Sequence, residues 1–314
     1  MRLLLLFQQL FLLAIARQVQ SHVSPRTFKF KGEKEGQIGG CNAADVKIIL
    51  EEIEIAKEAA EFAAEQLTKY PFFQAFQEPK AFGKKELENA GKEVFTRIAA
   101  MLDGFHKDDR FTIECRNKRC TEEDADTVAI MSTKKDGILD PILSFCPKFF
   151  ETDSSTQKKL ERYKKAMGRN RNYVERWSGT INMQDLSRTR SVVIMHELTH
   201  TPYVAMPIKE LLGRKDEENM QVFNILCGLG AFITKDYYYE ASDCYRMARG
   251  YHNALTKILK SPEWVRGARK AAENAESWAL IASGMYMSKQ LRIKQIPIQG
   301  IEDWMWEDIR IGAQ

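Results

Sequence analysis

Residues 191–204 read SVVIMHELTHTPYV, and the reading of this stretch decides what the rest of the fold must supply. It sets His196, Glu197 and His200 in an H-E-x-x-H pattern directly after the apolar run Val192, Val193, Ile194 and Met195. Residues four apart share one face of an α-helix, so both imidazoles can address one ion while Glu197 stands beside it. Neutral imidazoles suit Zn2+, which in catalytic sites takes three protein ligands and leaves a fourth position to water. Zinc lowers the pKa of that water to about 7, and the neighbouring carboxylate can take its proton. The competing reading is a core helix with two hydrogen-bonded histidines. Only five histidines occur in 314 residues, so a chance H-E-x-x-H is rare in this composition.

Working outward, the chain before this helix has two long helical patterns and then short β-prone runs. Asn42 stands as an N-cap with Asp45 three residues on. Val46, Ile49, Ile53, Ala56, Ala60, Ala63 and Leu67 follow at spacings of three and four, which predicts an amphipathic helix ended by Pro71. A second helix is expected over about 85–105, with Leu87, Val94, Ile98 and Leu102 on one stripe. Residues 111–113, 128–131 and 142–145 are short, β-prone and bounded by charged or turn residues, so they read as a small sheet. An extended peptide could add to an open edge of such a sheet, although the sheet could equally serve only to roof the core. After His200, helical patterns are expected at Ile208–Leu212, Glu217–Leu226 and around Cys244 and Met247. Ser261-Pro262-Glu263 then opens a helix with the small-residue stripe Val265, Ala268, Ala272, Ala275, Ala279 and Ala282. The expected class is α+β, mostly helical, with the small sheet preceding the H-E-x-x-H helix.

Residues 1–21 combine Arg2, a mostly apolar stretch from Leu3 to Leu13, and small-residue cleavage sites at Ala14-Ile15-Ala16 or Val19-Gln20-Ser21. They read as a secretory signal peptide, with a signal anchor as the alternative. Residues 22–40 are polar and basic and are expected to form a flexible N-terminal segment, followed by one domain over 41–291. The tail 292–314, with Trp304 and Trp306, is expected to pack on that domain. No later stretch is apolar enough to span a bilayer, and the mature chain is expected to be secreted, extracellular and monomeric, with no membrane partner. The net charge of +4 is modest, and lysine runs such as Lys158-Lys159 and Lys164-Lys165 alternate with acids, which argues for solvated faces and against nucleic acid. Cys41, Cys115, Cys120, Cys146, Cys227 and Cys244 make an even count without any C-x-x-C pair, as in a disulfide framework.

The third ligand is not fixed by the motif. Tyr203 and Met206 stand where a metzincin would carry glycine and histidine, and His22, His106 and His252 have no supporting pattern. A carboxylate is left: Asp236 in T-K-D-Y-Y-Y, or Glu240 in E-A-S-D. Across HELTHTPYV, the D-x-x-Y of Asp236–Tyr239, the cysteine of the next helix, and Ser261-Pro262 leading to Asn274-Ala275-Glu276, the chain resembles the deuterolysin-like zinc endopeptidases, or aspzincins, which include the peptidyl-Lys metalloendopeptidases. The spacing of Cys115, Cys120 and Cys146 is similar as well. The resemblance spans roughly residues 41–285 and is dense only over 191–286. It implies a zincin-like fold, zinc held by His196, His200 and Asp236, Glu197 as general base, and Tyr239 as the donor to the oxyanion. It also implies substrate binding at Glu276 and, in part, the pairs Cys41–Cys115, Cys120–Cys146 and Cys227–Cys244 among fifteen possible connectivities.

Three departures stand out. Ile233 and Glu240 replace flanking glycines, Asp236 stands 36 positions after His200, and Ala279 stands where lysine-specific members carry a glutamate. A broad or weakly basic preference is therefore expected in place of strict lysine specificity. The expected activity is peptide-bond hydrolysis on a protein or peptide substrate. The rival is a secreted zinc-binding protein or surface antigen without turnover.

Overall fold

Asn42 does what its position in the sequence predicts. Its side chain accepts from the Asp45 N–H at 2.9 Å, the Asp45 carboxylate accepts from the Asn42 N–H at 3.2 Å, and helix α1 (Ala43–Gln66) follows. The structure is a computed structural model that describes residues 28–30, 40–103, 111–116, 120, 127–132, 141–167, 182–213, 234–249, 262–299 and 301. Helix α1 ends at Gln66, before Pro71, which instead stands as the N-cap of the short α2 (Phe72–Phe76), followed by α3 (Pro79–Phe82) and α4 (Lys84–Asp103). Helices α1 and α4 pack along each other through Ile49, Ile53, Ala56, Val94, Ile98 and Leu102, all fully buried.

The expected strands appear as β2 (Thr112–Cys115), β3 (Ala129–Ser132) and β4 (Ile142–Phe145). One further strand was not expected. In the segment read as flexible, β1 (Lys29–Phe30) pairs in parallel with β2, and buried Phe28 lies against Phe111 with ring centroids 5.6 Å apart. A two-residue strand in a polar, basic stretch is held by its pairing and one aromatic anchor, which periodicity does not reveal. The sheet order is β1-β2-β4-β3, with β2 and β4 parallel and β3 antiparallel to β4 along the edge. The fold is thus mainly helical with a small mixed sheet, in line with the α+β expectation.

Two disulfides clamp this half of the fold, Cys41–Cys115 and Cys120–Cys146. The first joins the start of α1 to the end of β2 across 74 residues. A loop of that size contributes about 4 kcal/mol in the chain-entropy model. Arg116, just past Cys115, pairs with both Asp45 oxygens, so the helix cap and the sheet are tied at the same point. Of the expected Cys227–Cys244 pair, Cys227 lies outside the described residues and Cys244 is a buried free thiol. Two disulfides accord with an oxidising compartment.

The second half comprises α5 (Thr156–Met167), α6 (Met183–Leu186), α7 (Arg190–Thr199), α8 (Pro202–Gly213), α9 (Ala241–Ala248), α10 (Pro262–Glu273) and α11 (Ala275–Leu291). The long helix expected after Ser261 is broken at Asn274, so the alanine stripe is shared by α10 and α11. Helix α11 is buried on nearly every side and carries Trp278, whose ring lies against Phe73 and Phe95 and whose N–H donates to the Ala272 carbonyl at 2.8 Å. A helix apolar all round belongs at the centre of a domain. After α11 the chain stays packed through buried Ile296 and Ile298, and the Met183 N–H donates to the Pro297 carbonyl. The rest of the tail, the proposed signal peptide and the expected helix at 217–226 lie outside the described residues, among which no helix is long and apolar enough to cross a membrane.

Close approach to α11 depends on small residues. A Cβ added at Gly284 would lie 2.7 Å from the Phe72 ring, whose rigid plane cannot give way cheaply. Gly284→Val is expected to lower unfolding stability by about 1–3 kcal/mol, read as a reduced midpoint in thermal or urea unfolding.

Candidate metal centre

Helix α7 is fixed before it presents any chemistry. Arg190, buried in its first turn, donates to the Phe149 carbonyl at 2.6 Å and the Glu151 carbonyl at 2.8 Å, and lies 3.8 Å from the buried Glu52 carboxylate. One residue on, Ser191 and Thr156 share a hydroxyl–hydroxyl bond of 2.8 Å. Val192, Ile194, Met195 and Leu198 are fully buried, so the helix can rotate neither way without exposing them. That fixes the face carrying His196 and His200.

The two histidine Nε2 atoms lie 3.3 Å apart, and Asp236 Oδ1 lies 3.0 Å from one and 3.1 Å from the other. His196, His200 and Asp236 form a group that could hold a metal ion. Zinc bonds of about 2.0–2.1 Å in tetrahedral array would separate donors by about 3.3 Å, so the spacing fits. Of the two competing carboxylates, Asp236 joins the imidazoles. Glu240 is exposed and stands as the N-cap of α9, one residue outside it.

The protons on the far nitrogens can be traced. Thr199 Oγ1 donates to the His196 carbonyl at 2.8 Å, which leaves its lone pairs to accept from Thr234 Oγ1 at 2.9 Å. Thr234 presents both its carbonyl and its hydroxyl oxygen 3.1 Å from His200 Nδ1. A carbonyl can only accept, so His200 carries its proton on Nδ1 and turns the Nε2 lone pair toward Asp236. His196 Nδ1 likewise lies 2.8 Å from Glu276 Oε2. Such outer partners fix the ring orientation and tautomer of metal-binding histidines and raise their basicity.

This placement bears on the role expected for Glu276. Its side chain is buried at the floor of the cleft with Oε2 on His196 Nδ1, and Ala279 is fully buried. Sequence reasoning also missed Thr199 and Thr234. Their only signal was position, the first within H-E-x-x-H and the second two residues before Asp236.

Glu197 is buried beside the three donors, and Oε2 accepts from the Met131 N–H of β3 at 2.7 Å. Burial and the Asp236 charge lift its carboxyl above the usual carboxylate range, against the pull of both histidines and the Met131 N–H. For His196, burial works to lower the imidazole, but hydrogen bonds to Asp236 and Glu276 outweigh it and raise it well above an ordinary histidine. Asp236 is driven far down: burial opposes this, and hydrogen bonds to both histidines prevail. Tyr239 stacks on the His196 ring with centroids 5.6 Å apart. The side chain is more than half exposed, but partial burial beside the site and the adjacent Asp236 carboxylate push its phenol up, so it remains an O–H donor at neutral pH.

These groups open on a cleft of about 1130 Å³ walled by β3, the Asp236–Glu240 loop and Arg188, with Asp243 at its margin. Along β3 the Val128 carbonyl accepts from Cys146, so by alternation Ala129 and Met131 turn their N–H and C=O groups away from β4. Between His200 and Asp236, helix α8 packs on α4, with Arg97 donating to the Tyr203 carbonyl at 2.8 Å. Comparison with protein-family models, curated proteins and solved structures finds no match for this chain.

Metal analysis of purified variants separates the two carboxylates: Asp236→Ala is expected to lose the ion and Glu240→Ala to retain it. Uptake should strengthen as the pH rises and fail in acid, because protons and the metal compete for the same Nε2 lone pairs.

Proposed function

We propose that the chain is a zinc-dependent endopeptidase, secreted, with a zincin-like arrangement of the aspzincin kind. The observation that carries this reading is the joint placement of Glu197 and Tyr239 at the edge of the His196, His200 and Asp236 group. A protein that only captured metal would need neither a buried base nor a phenol there. Bound by these three residues, zinc would act as a Lewis acid toward a carbonyl and lower the pKa of a water.

The protein groups divide the rest of the work. The remaining outward groups of β3, the Ala129 N–H and C=O and the Met131 C=O, offer an extended peptide backbone partners, which would place its scissile bond over the site without selecting side chains strongly. The Met131 N–H holds the Glu197 carboxylate in one orientation, and its raised carboxyl suits it to receive a proton. Glu197 takes the proton of the attacking water while the hydroxyl oxygen bonds to the carbonyl carbon. Tyr239 donates to the oxygen that gains charge. As the C–N bond breaks, Glu197 returns the proton to the leaving amine, and the products are a carboxylate and an amine. With Glu276 buried against His196, and both Arg188 and Asp243 lining the cleft, the preference is broad in charge.

Casein hydrolysis that stops with a chelator and returns with Zn2+ is the direct test. Glu197→Gln should lower turnover on the order of 10²-fold or more while keeping the metal. A Glu197→Gln protein with wild-type turnover, or a zinc-loaded wild type that cuts no peptide in a library digest, would refute the assignment.

A further inference from the structure

Asp236 differs from the two histidines in coming from a loop, and a loop ligand needs something to hold it. We infer that Asn274 is the positioning residue that sets Asp236 as the third ligand, an inference that rests on the metal site proposed above. Asn274 stands at the break between α10 and α11, with extended backbone (φ −83°, ψ 118°) and a fully buried side chain. Its Oδ1 accepts from the N–H of Tyr237 at 3.0 Å and of Tyr238 at 3.2 Å. Backbone N–H groups only donate, so this end of the amide must be the oxygen and the other end the NH2. The NH2 reaches the Tyr238 carbonyl at 3.2 Å, Ser277 Oγ at 3.0 Å and Cys244 Sγ at 3.3 Å.

The main chain completes the grip. The Lys235 N–H donates to the Glu273 carbonyl at 2.8 Å, and the Ala275 N–H donates to the Lys235 carbonyl at 3.0 Å. The residues on both sides of Asp236 are therefore bonded to Glu273, Asn274 and Ala275. An unbroken helix would spend these same backbone groups internally, so the interruption at Asn274 is what makes the bridge possible. Two residues further on, Glu276 bonds to His196. One segment of four residues thus orients two of the three metal-facing groups, His196 through a carboxylate and Asp236 through an amide. Aspartate at this position would keep the acceptor but lose the NH2, and alanine would lose both.

The test is metal affinity in the folded protein, read by chelator competition for Zn2+, together with the visible absorption of the Co2+-loaded chain. Asn274→Ala should weaken Zn2+ binding by on the order of 10- to 100-fold and alter the Co2+ bands, as losses of outer partners do. Asn274→Asp should recover part of the loss. Ser277→Ala, which touches the Asn274 NH2 but not the loop, should bind as the wild type does. A purely structural role would lower the melting point of the metal-free protein yet leave affinity and Co2+ spectrum unchanged, and that result in folded Asn274→Ala overturns the inference. Should the alanine variant not fold, Asn274→Asp decides: wild-type affinity with a wild-type Co2+ spectrum overturns the inference, and weakened affinity in a folded protein supports it. A wild-type chain that takes up no Zn2+ refutes the metal site itself.

Discussion

Two imidazole nitrogens and a carboxylate oxygen, all presenting lone pairs within 3.0–3.3 Å of one another, repel unless a cation or a proton lies between them. A cluster of buried polar groups imposes that arrangement. Glu276 and Thr234 hold the far nitrogens, Thr199 closes the hydroxyl chain, and the Met131 N–H pins the neighbouring carboxylate. Each of these partners is buried or drawn from backbone, where an unpaired polar group would be costly. The rings cannot relax away from the conflict without breaking several hydrogen bonds together.

This constraint explains the layering of the fold around α7. Its apolar residues face the core formed with α1 and α11, its first turn is locked by Arg190, and its remaining face meets β3. The sheet is too small to carry a core of its own. Its contribution to the site is an edge: one N–H grips Glu197, and its neighbours look into the cleft. Away from that edge, Cys41–Cys115 and the Arg116–Asp45 pair join the end of β2 to α1.

Buried Glu52 and Arg190 lie 3.8 Å apart at the root of α7, a pairing that burial makes expensive for both groups. Burial raises the Glu52 carboxyl and lowers the Arg190 guanidinium. Their worth lies in geometry more than in net stability: the guanidinium also satisfies two carbonyls in the turn after β4, and the Glu52 carboxylate accepts from the Thr156 N–H at 3.0 Å. The helix that carries the histidines is thereby tied to α1, to the sheet and to α5 at one point.

The sequence by itself determined the elements whose signals are local. The Asn42–Asp45 cap, the spacing of apolar residues in α1 and α4, the three β-prone runs and the helical spacing of His196 and His200 all follow from neighbours a few residues away. It also narrowed the third ligand to two carboxylates. Tertiary structure decided between Asp236 and Glu240, because the choice depends on how a loop 36 residues downstream of His200 is held against α10 and α11. It likewise set buried Glu276 against His196 Nδ1 and left Cys244 a free thiol. It added β1, which exists only through pairing with β2, and it broke a continuous helical pattern at Asn274. The deciding partners of Asp236, Glu276, β1 and Asn274 lie tens of residues away, and local periodicity carries no record of a hydrogen bond across that distance.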